Sequence, residues 1–175
     1  MVLTGGDNNS VYITGEDAYV ATTGLYTSAI RVRDQNNLYV SIDDGARAFT
    51  TNDNASVLRF DDSDEVEIIL DNSASITTTG FNSYATDFDN LSDSTITLSD
   101  SSFIRTQGNN AHGVHFYNST NIDITLNTHS YIDAYGYNAD AIRVVDGNDT
   151  DITLSNAILY SQDSHAITIV ESNDT

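Results

Sequence analysis

The chain contains no cysteine, no proline, no tryptophan and no lysine. Without cysteine there is no disulfide framework and no thiolate zinc site. Without proline every position keeps the N–H that a ladder strand needs. Without lysine the cations are six arginines, set against 26 Asp and Glu for a formal net charge of −20. A phosphate backbone is held by a dense cationic face that releases counterions, so no nucleic-acid partner is expected. Anionic membrane surfaces are disfavoured on the same ground. No apolar run approaches the roughly 18 residues of a bilayer-spanning helix, so no membrane insertion is expected. The opening Met1-Val2-Leu3-Thr4-Gly5-Gly6 lacks the basic and apolar regions of a signal peptide.

Hydrophobic residues make up 39% of the chain, too many for an acidic disordered tail, which needs low hydrophobicity as well as charge. One continuous core is the natural expectation at 175 residues. A Thr/Ser/Asn/Asp-rich acidic surface suits a protein that stays soluble outside the cell.

The apolar residues recur with a fixed period. Val40-Ser41-Ile42, Ile68-Ile69-Leu70, Ile96-Thr97-Leu98, Ile124-Thr125-Leu126 and Ile152-Thr153-Leu154 follow one another at 28 residues. Val20, Ala48, Ile76, Ile104 and Ile132 form a second column, and Ile30, Leu58, Thr86, Val114 and Ile142 a third. Within each coil the apolar residues are paired at a spacing of two, which puts both side chains on one face of a strand. Three such pairs per coil, separated by polar clusters, predict three short strands and three turns. Strands that return in the same direction after every coil make parallel sheets, and each coil adds roughly 4.8 Å of height. The register slips twice: one extra residue lies between Ile13 and Val20, and the last coil is three residues short because Ala166-Ile167 follows Ala141-Ile142 by 25. Stacked repeats absorb such changes in their turns.

The turns repeat as well. Asn54, Asn82, Asn110 and Asn138 share one column, with Asp163 the expected equivalent in the short coil. Asp34, Asp62, Asn90, Asn118 and Asp146 share another, ending in Glu171. Stacked Asn pass amide hydrogen bonds from rung to rung, and these columns are expected to be structural turn ladders. Gly80, Gly108 and Gly136 suggest a turn that needs φ > 0. The closing Ser172-Asn173-Asp174-Thr175 matches Gly147-Asn148-Asp149-Thr150, as if a further coil were starting, so the chain is expected to be a piece of a longer protein.

Ile76-Thr77-Thr78-Thr79-Gly80 and Gly108-Asn109-Asn110-Ala111-His112-Gly113-Val114, with the return at Gly136-Tyr137-Asn138-Ala139-Asp140-Ala141-Ile142, resemble the repeats of bacterial autotransporter passenger domains, from about Val11 onward. The resemblance implies an all-β, right-handed, single-stranded parallel β-helix (a β-solenoid) of about six 28-residue coils. It also implies secretion through an outer membrane and display at the cell surface or release. Residues 1–175 are then one solenoid piece, with 1–10 an irregular segment or partial cap and 11–175 the repeats. The expected role is an extracellular stalk for adhesion, aggregation or fibre assembly. Its partners would be a host or neighbouring-cell surface protein or glycan, or other copies meeting at the solenoid ends or faces.

Parallel β-helices also carry polysaccharide lyases and glycosidases, so a carbohydrate-active enzyme is the alternative. Asp123 and Asp151 would stack on neighbouring coils, too close for an inverting pair and nearer a retaining geometry. Nothing separates them from many similar acidic pairs, no long loop walls a cleft, and no catalytic residue is assigned. Asp61-Asp62-Ser63-Asp64-Glu65 offers oxygen ligands for calcium, but no calcium-loop motif is present and no cofactor is expected. His112, Asp140 and His165 share a column whose straight ladder gives poor tetrahedral angles, so it reads as a polar turn. His129 reads as an exposed turn residue. Tyr117, Tyr135 and Tyr137 lie near turns, where stacking on sugars competes with packing on the sheet. Thr97, Thr125 and Thr153 align, but only Thr95 and Thr97 form the paired arrangement an ice-binding face would use. Arg31, Arg59, Asp87, His115 and Arg143 share one outward column, continued by Thr168, with Arg33 nearby. Two readings stand for it: a cross-coil charge ladder, or a basic stripe for an anionic glycan or an acidic partner surface.

Overall fold

The computed structural model describes residues 1–170, so Glu171 and the match at Ser172–Thr175 lie outside the described residues. Strands follow one another as β1 (Val2–Thr14), β2 (Tyr19–Thr22), β3 (Ile30–Asp43), β4 (Arg47–Thr50), β5 (Leu58–Leu70), β6 (Ser75–Thr78), β7 (Thr86–Leu98) and β8 (Phe103–Thr106). The chain continues through β9 (Val114–Tyr117), β10 (Thr120–Asn127), β11 (Tyr131–Tyr137), β12 (Ile142–Val145), β13 (Asn148–Ser155), β14 (Ile158–Asp163) and β15 (Ile167–Val170). Every pairing is between strands of successive coils and every one is parallel. One sheet has nine strands and runs β1-β3-β5-β7-β9-β12-β15, with β10 joining β7 to β13; the other runs β14-β11-β8-β6-β4-β2. The chain is a β-solenoid of about six coils.

The apolar columns form the core. Leu70, Leu98 and Leu126 are fully buried one above another, and Leu154 continues their register at the end of the stack, where it is 46% exposed. Phe60, Phe88 and Phe116 stack with ring centroids 5.2 and 4.6 Å apart. Each of these side chains contributes roughly 1.5–3 kcal/mol by leaving water.

Three expectations are corrected. The three short strands per coil are partly fused, because β3, β5 and β7 each hold two of the expected strands. The chain turns between them at two left-handed residues without leaving the ladder: Asp34 and Asn37, Asp62 and Glu65, Asn90 and Asp93. Residues 1–10 are not an irregular segment. β1 is a regular rung from Val2 onward, with Leu3 opposite Val32 and Val11 opposite Val40. Gly80, Gly108 and Gly136 do not have positive φ. They are glycines because a Cβ at Gly108 would lie 1.8 Å from the carbonyl oxygen of Gly80, and one at Gly136 would lie 1.9 Å from that of Gly108.

The extra residue of the first coil lies between Thr14 and Tyr19, where the offset to the next coil falls from 29 to 28. The last coil loses its three residues in steps: Ile124 pairs with Ile152, Tyr131 with Ile158, Tyr137 with Asp163 and Ile142 with Ile167. Asp163 therefore sits opposite Tyr137, not Asn138.

Candidate functional site

The outward column is present in the register expected. Arg31 lies opposite Arg59, Arg59 opposite Asp87, Asp87 opposite His115, His115 opposite Arg143, and Arg143 opposite Thr168. Asp87 stands between Arg59 Nη1 at 3.6 Å and His115 Nδ1 at 3.0 Å, the contacts that a cross-coil ladder would use.

The residue that organises the arginines lies outside that column. Asp61, whose side chain is 8% exposed, meets Arg31 Nη2 at 2.9 Å, Arg33 Nη2 at 3.4 Å and Arg59 Nε at 2.8 Å. Burial opposes its charge, but the hydrogen bonds from Arg59 and Arg31 outweigh that cost and hold its pKa below the ordinary value. Burial likewise opposes the Arg59 charge, and the Asp61 hydrogen bond with the fields of Asp87, Asp61 and Asp89 raises its pKa nonetheless. Asp89, one coil on, is raised by burial and then by the Asp61 charge. The signal for Asp61 was available: it follows Arg59 by two, on the same strand face, and sits opposite Arg33.

Arg143 turns away from the column to Asp140 Oδ2 at 3.1 Å. Asp140 is buried and also accepts from Ser164 Oγ at 2.6 Å and from the His165 N–H at 3.1 Å. Burial raises the cost of its charge, and these donors lower its pKa against that cost. His112, also buried, accepts the Asp140 N–H on Nδ1 at 2.9 Å. Desolvation lowers its pKa to about 4, so the ring is neutral at pH 7 and makes no ion pair with the carboxylate 3.7 Å away. The polar turn expected at His112, Asp140 and His165 is thus a hydrogen-bonded corner. Tyr84, which the sequence reading passed over, packs against His115 and His112 at 4.6 and 5.3 Å between centroids.

The turn ladders run from coil to coil through side-chain amides. Asn54, Asn82, Asn110 and Asn138 are all left-handed, as are Asp34, Asp62, Asn90, Asn118 and Asp146. Asn82 donates to Asn54 at 3.3 Å, Asn138 to Asn110 at 2.9 Å, Asn90 to Asp62 at 2.8 Å and Asn118 to Asn90 at 2.5 Å. In each pair the donor belongs to the later coil. A ladder not singled out from sequence has the same sense, with Asn37 donating to Asn8 and Asn121 to Asp93. Buried serines serve other corners, as Ser63, Ser94 and Ser119 accept the N–H of Gln35, Val66 and Leu91.

The carboxylates of the Asp61–Glu65 turn are taken up separately, Asp61 by arginines, Asp62 by Asn90 and Asp64 by Ser92. Among the described residues no three His, Cys, Asp or Glu side chains gather to hold a metal ion. Asp123 and Asp151 pair on adjacent rungs along an exposed face, beside the register column of Thr97, Thr125 and Thr153. His129 is exposed, with Nε2 3.2 Å from the Asn156 amide. Tyr117 and Tyr137 are exposed, and Tyr135 packs at 5.6 Å from Tyr160. On the outer face of the six-stranded sheet, Arg105 lies 5.2–5.6 Å from the rings of Phe103, Tyr131 and Tyr135 and 2.8 Å from Asp133. That cation–π group was also missed. Its trace in the sequence is Phe103 and Arg105 recurring 28 residues on as Tyr131 and Asp133.

No known protein family, curated protein or solved structure matches the chain.

Proposed function

We propose that the chain is part of a rigid extracellular stalk, a β-solenoid that presents repeated surface columns for adhesion, aggregation or fibre assembly. The observation that supports this reading is the continuity of the stacked columns, which hold a 28-residue register from Tyr19 through Leu126. Side-chain columns continue from coil to coil, and the longest connections, such as residues 23–29 and 107–113, are seven residues. Connections that short border at most a small open cleft, so most of the outward chemistry is spread along faces, which suits contact with another surface more than enclosure of a substrate. The resemblance of the Ile76–Gly80 and Gly108–Val114 phrases to autotransporter passenger repeats supports secretion and display on a bacterial surface.

The test is to immobilise the chain and screen it against glycans, matrix proteins and itself. Saturable binding in one of these formats is the expected result. Absence of binding in all three, or shortening of a polysaccharide by the chain, overturns the reading.

A further inference from the structure

The clefts on this molecule are mostly acidic. One is bordered by Glu16 and Asp44, a second by Glu65, Glu67 and Asp93, and a third by Asp123 and Asp151. A fourth, of about 210 Å³, differs in sign. It opens where the β2–β3 and β4–β5 connections meet the nine-stranded sheet, and Tyr26, Ser28, Arg31, Asn54, Ser56 and Arg59 border it. Among the described residues no carboxylate lines it, on a chain of net charge −20.

Two further observations converge there. Asp61 takes up Nε and Nη2 of Arg31 and Nε of Arg59, and Asp87 faces Nη1 of Arg59. Arg31 Nη1 and Arg59 Nη2 are left without a protein acceptor among the described residues. Both side chains are about two-fifths exposed, at 40% and 39%. Asp61 thus fixes the forks from behind and leaves one donor of each free. The second observation is Tyr26, which occupies the column that Asn54, Asn82, Asn110 and Asn138 fill on later coils. It has φ of 58° and is 80% exposed. A bulky residue in the left-handed region is a genuine outlier, and here it forgoes an amide rung to stand as an exposed ring at the rim of the cleft.

We infer that this cleft binds a terminal carboxylated sugar on an otherwise neutral glycan. The free guanidinium donors take the carboxylate, since charge-assisted Arg–carboxylate hydrogen bonds are the strong ones. Ser28 and Asn54 supply hydroxyl and amide partners, and the Tyr26 ring flanks the apolar side of the sugar. The volume lies below the roughly 300–1,000 Å³ of drug-sized sites, so it admits one ring. Repulsion by a chain of charge −20 opposes a polyanion, which selects a single acidic residue. The inference rests on the adhesive reading and names its ligand class.

The probes are a lactose-based trisaccharide ending in one glucuronic acid, the methyl ester of that acid, and lactose, titrated calorimetrically into the full chain. The acid is expected to bind, more weakly at 0.3 M than at 0.05 M salt, with the ester and lactose at least about tenfold weaker. Arg31→Gln with Arg59→Gln should cost a similar factor, and Arg105→Gln, away from the cleft, should cost nothing. Arg33 still faces Asp61 in the double variant, and its melting curve checks the fold. Tyr26→Asn restores the residue the other coils use, so it should keep or raise thermal stability while weakening binding severalfold. Equal binding of acid and ester, unchanged binding by the double variant and Tyr26→Asn, or no binding of the acid overturns the site. Where one of these results overturns the site, saturable binding of neutral glycans or proteins by the chain leaves the adhesive reading standing.

Discussion

The Asp140 N–H donates to Nδ1 of His112 across one coil, at 2.9 Å, and so requires that nitrogen unprotonated. The ring also faces the charges of Asp140, His115, Arg143 and Asp87. Its pKa falls from the ordinary 6.5 to about 4, chiefly by desolvation. The unfolded chain therefore binds the proton first. The stability contribution of the neutral ring is complete above pH 6.5 and is lost as pH falls toward 4.

At about 1.4 kcal/mol per unit, wild type should lose about 3 kcal/mol more than His112→Gln between pH 7 and pH 4. Asp61, with its lowered pKa, contributes stability that is lost only below the ordinary carboxylate range, and it is common to both proteins. Denaturant titrations at several pH values read the difference directly. Parallel stability curves for the two proteins would refute the assignment.

Gly108→Ala should destabilise strongly. The added Cβ would meet the Gly80 carbonyl oxygen at 1.8 Å, and a backbone atom cannot swing aside as the end of a side chain can. A loss of about 3 kcal/mol is expected, the upper range of overpacking. Gly24→Ala meets only the side chain of Thr27, which can shift by giving up its exposed bonds to Thr22 and the Gly24 carbonyl, and should cost about 1 kcal/mol. Comparable losses in the two variants would mean that close backbone approach is not what selects glycine in this column.

Phe88 has a ring above and a ring below, at 5.2 Å to Phe60 and 4.6 Å to Phe116. Phe88→Ala should cost roughly 3–5 kcal/mol, whereas Phe81→Ala, at a site 44% exposed, should stay within about 0.5 kcal/mol. Thermal melts of both variants at one pH make the comparison.

Most of the fold was legible because period two within a coil and period 28 between coils act on the same residues. Leu70, Leu98 and Leu126 satisfy both at once. What was not legible depends on conformation that residue type does not announce. Glu65, Ser73, Ser101 and Thr128 are all left-handed, and none is a residue that turn preferences single out for that region. The glycine column was visible, but its cause was misread. Turn chemistry and close approach both select glycine, and only the position of the next coil separates them. The arginine column was visible too, while Asp61, though only two residues after Arg59, stood among many similar acids. Its role comes from which side chains on the adjacent rung reach it, and spacing along the chain does not record reach.

The amide ladders have a direction. In each bonded pair the later coil donates and the earlier accepts, so Asp can begin a run but cannot carry it further, as Asp62 does below Asn90 and Asp93 below Asn121. Chemical ageing of the chain inherits this polarity. Deamidation of Asn90 would leave it able to accept from Asn118 yet set its new carboxylate against that of Asp62. The lesion would be felt on the N-terminal side of the altered rung and leave the rung beyond it paired, so that old molecules would loosen along their corners in one sense only.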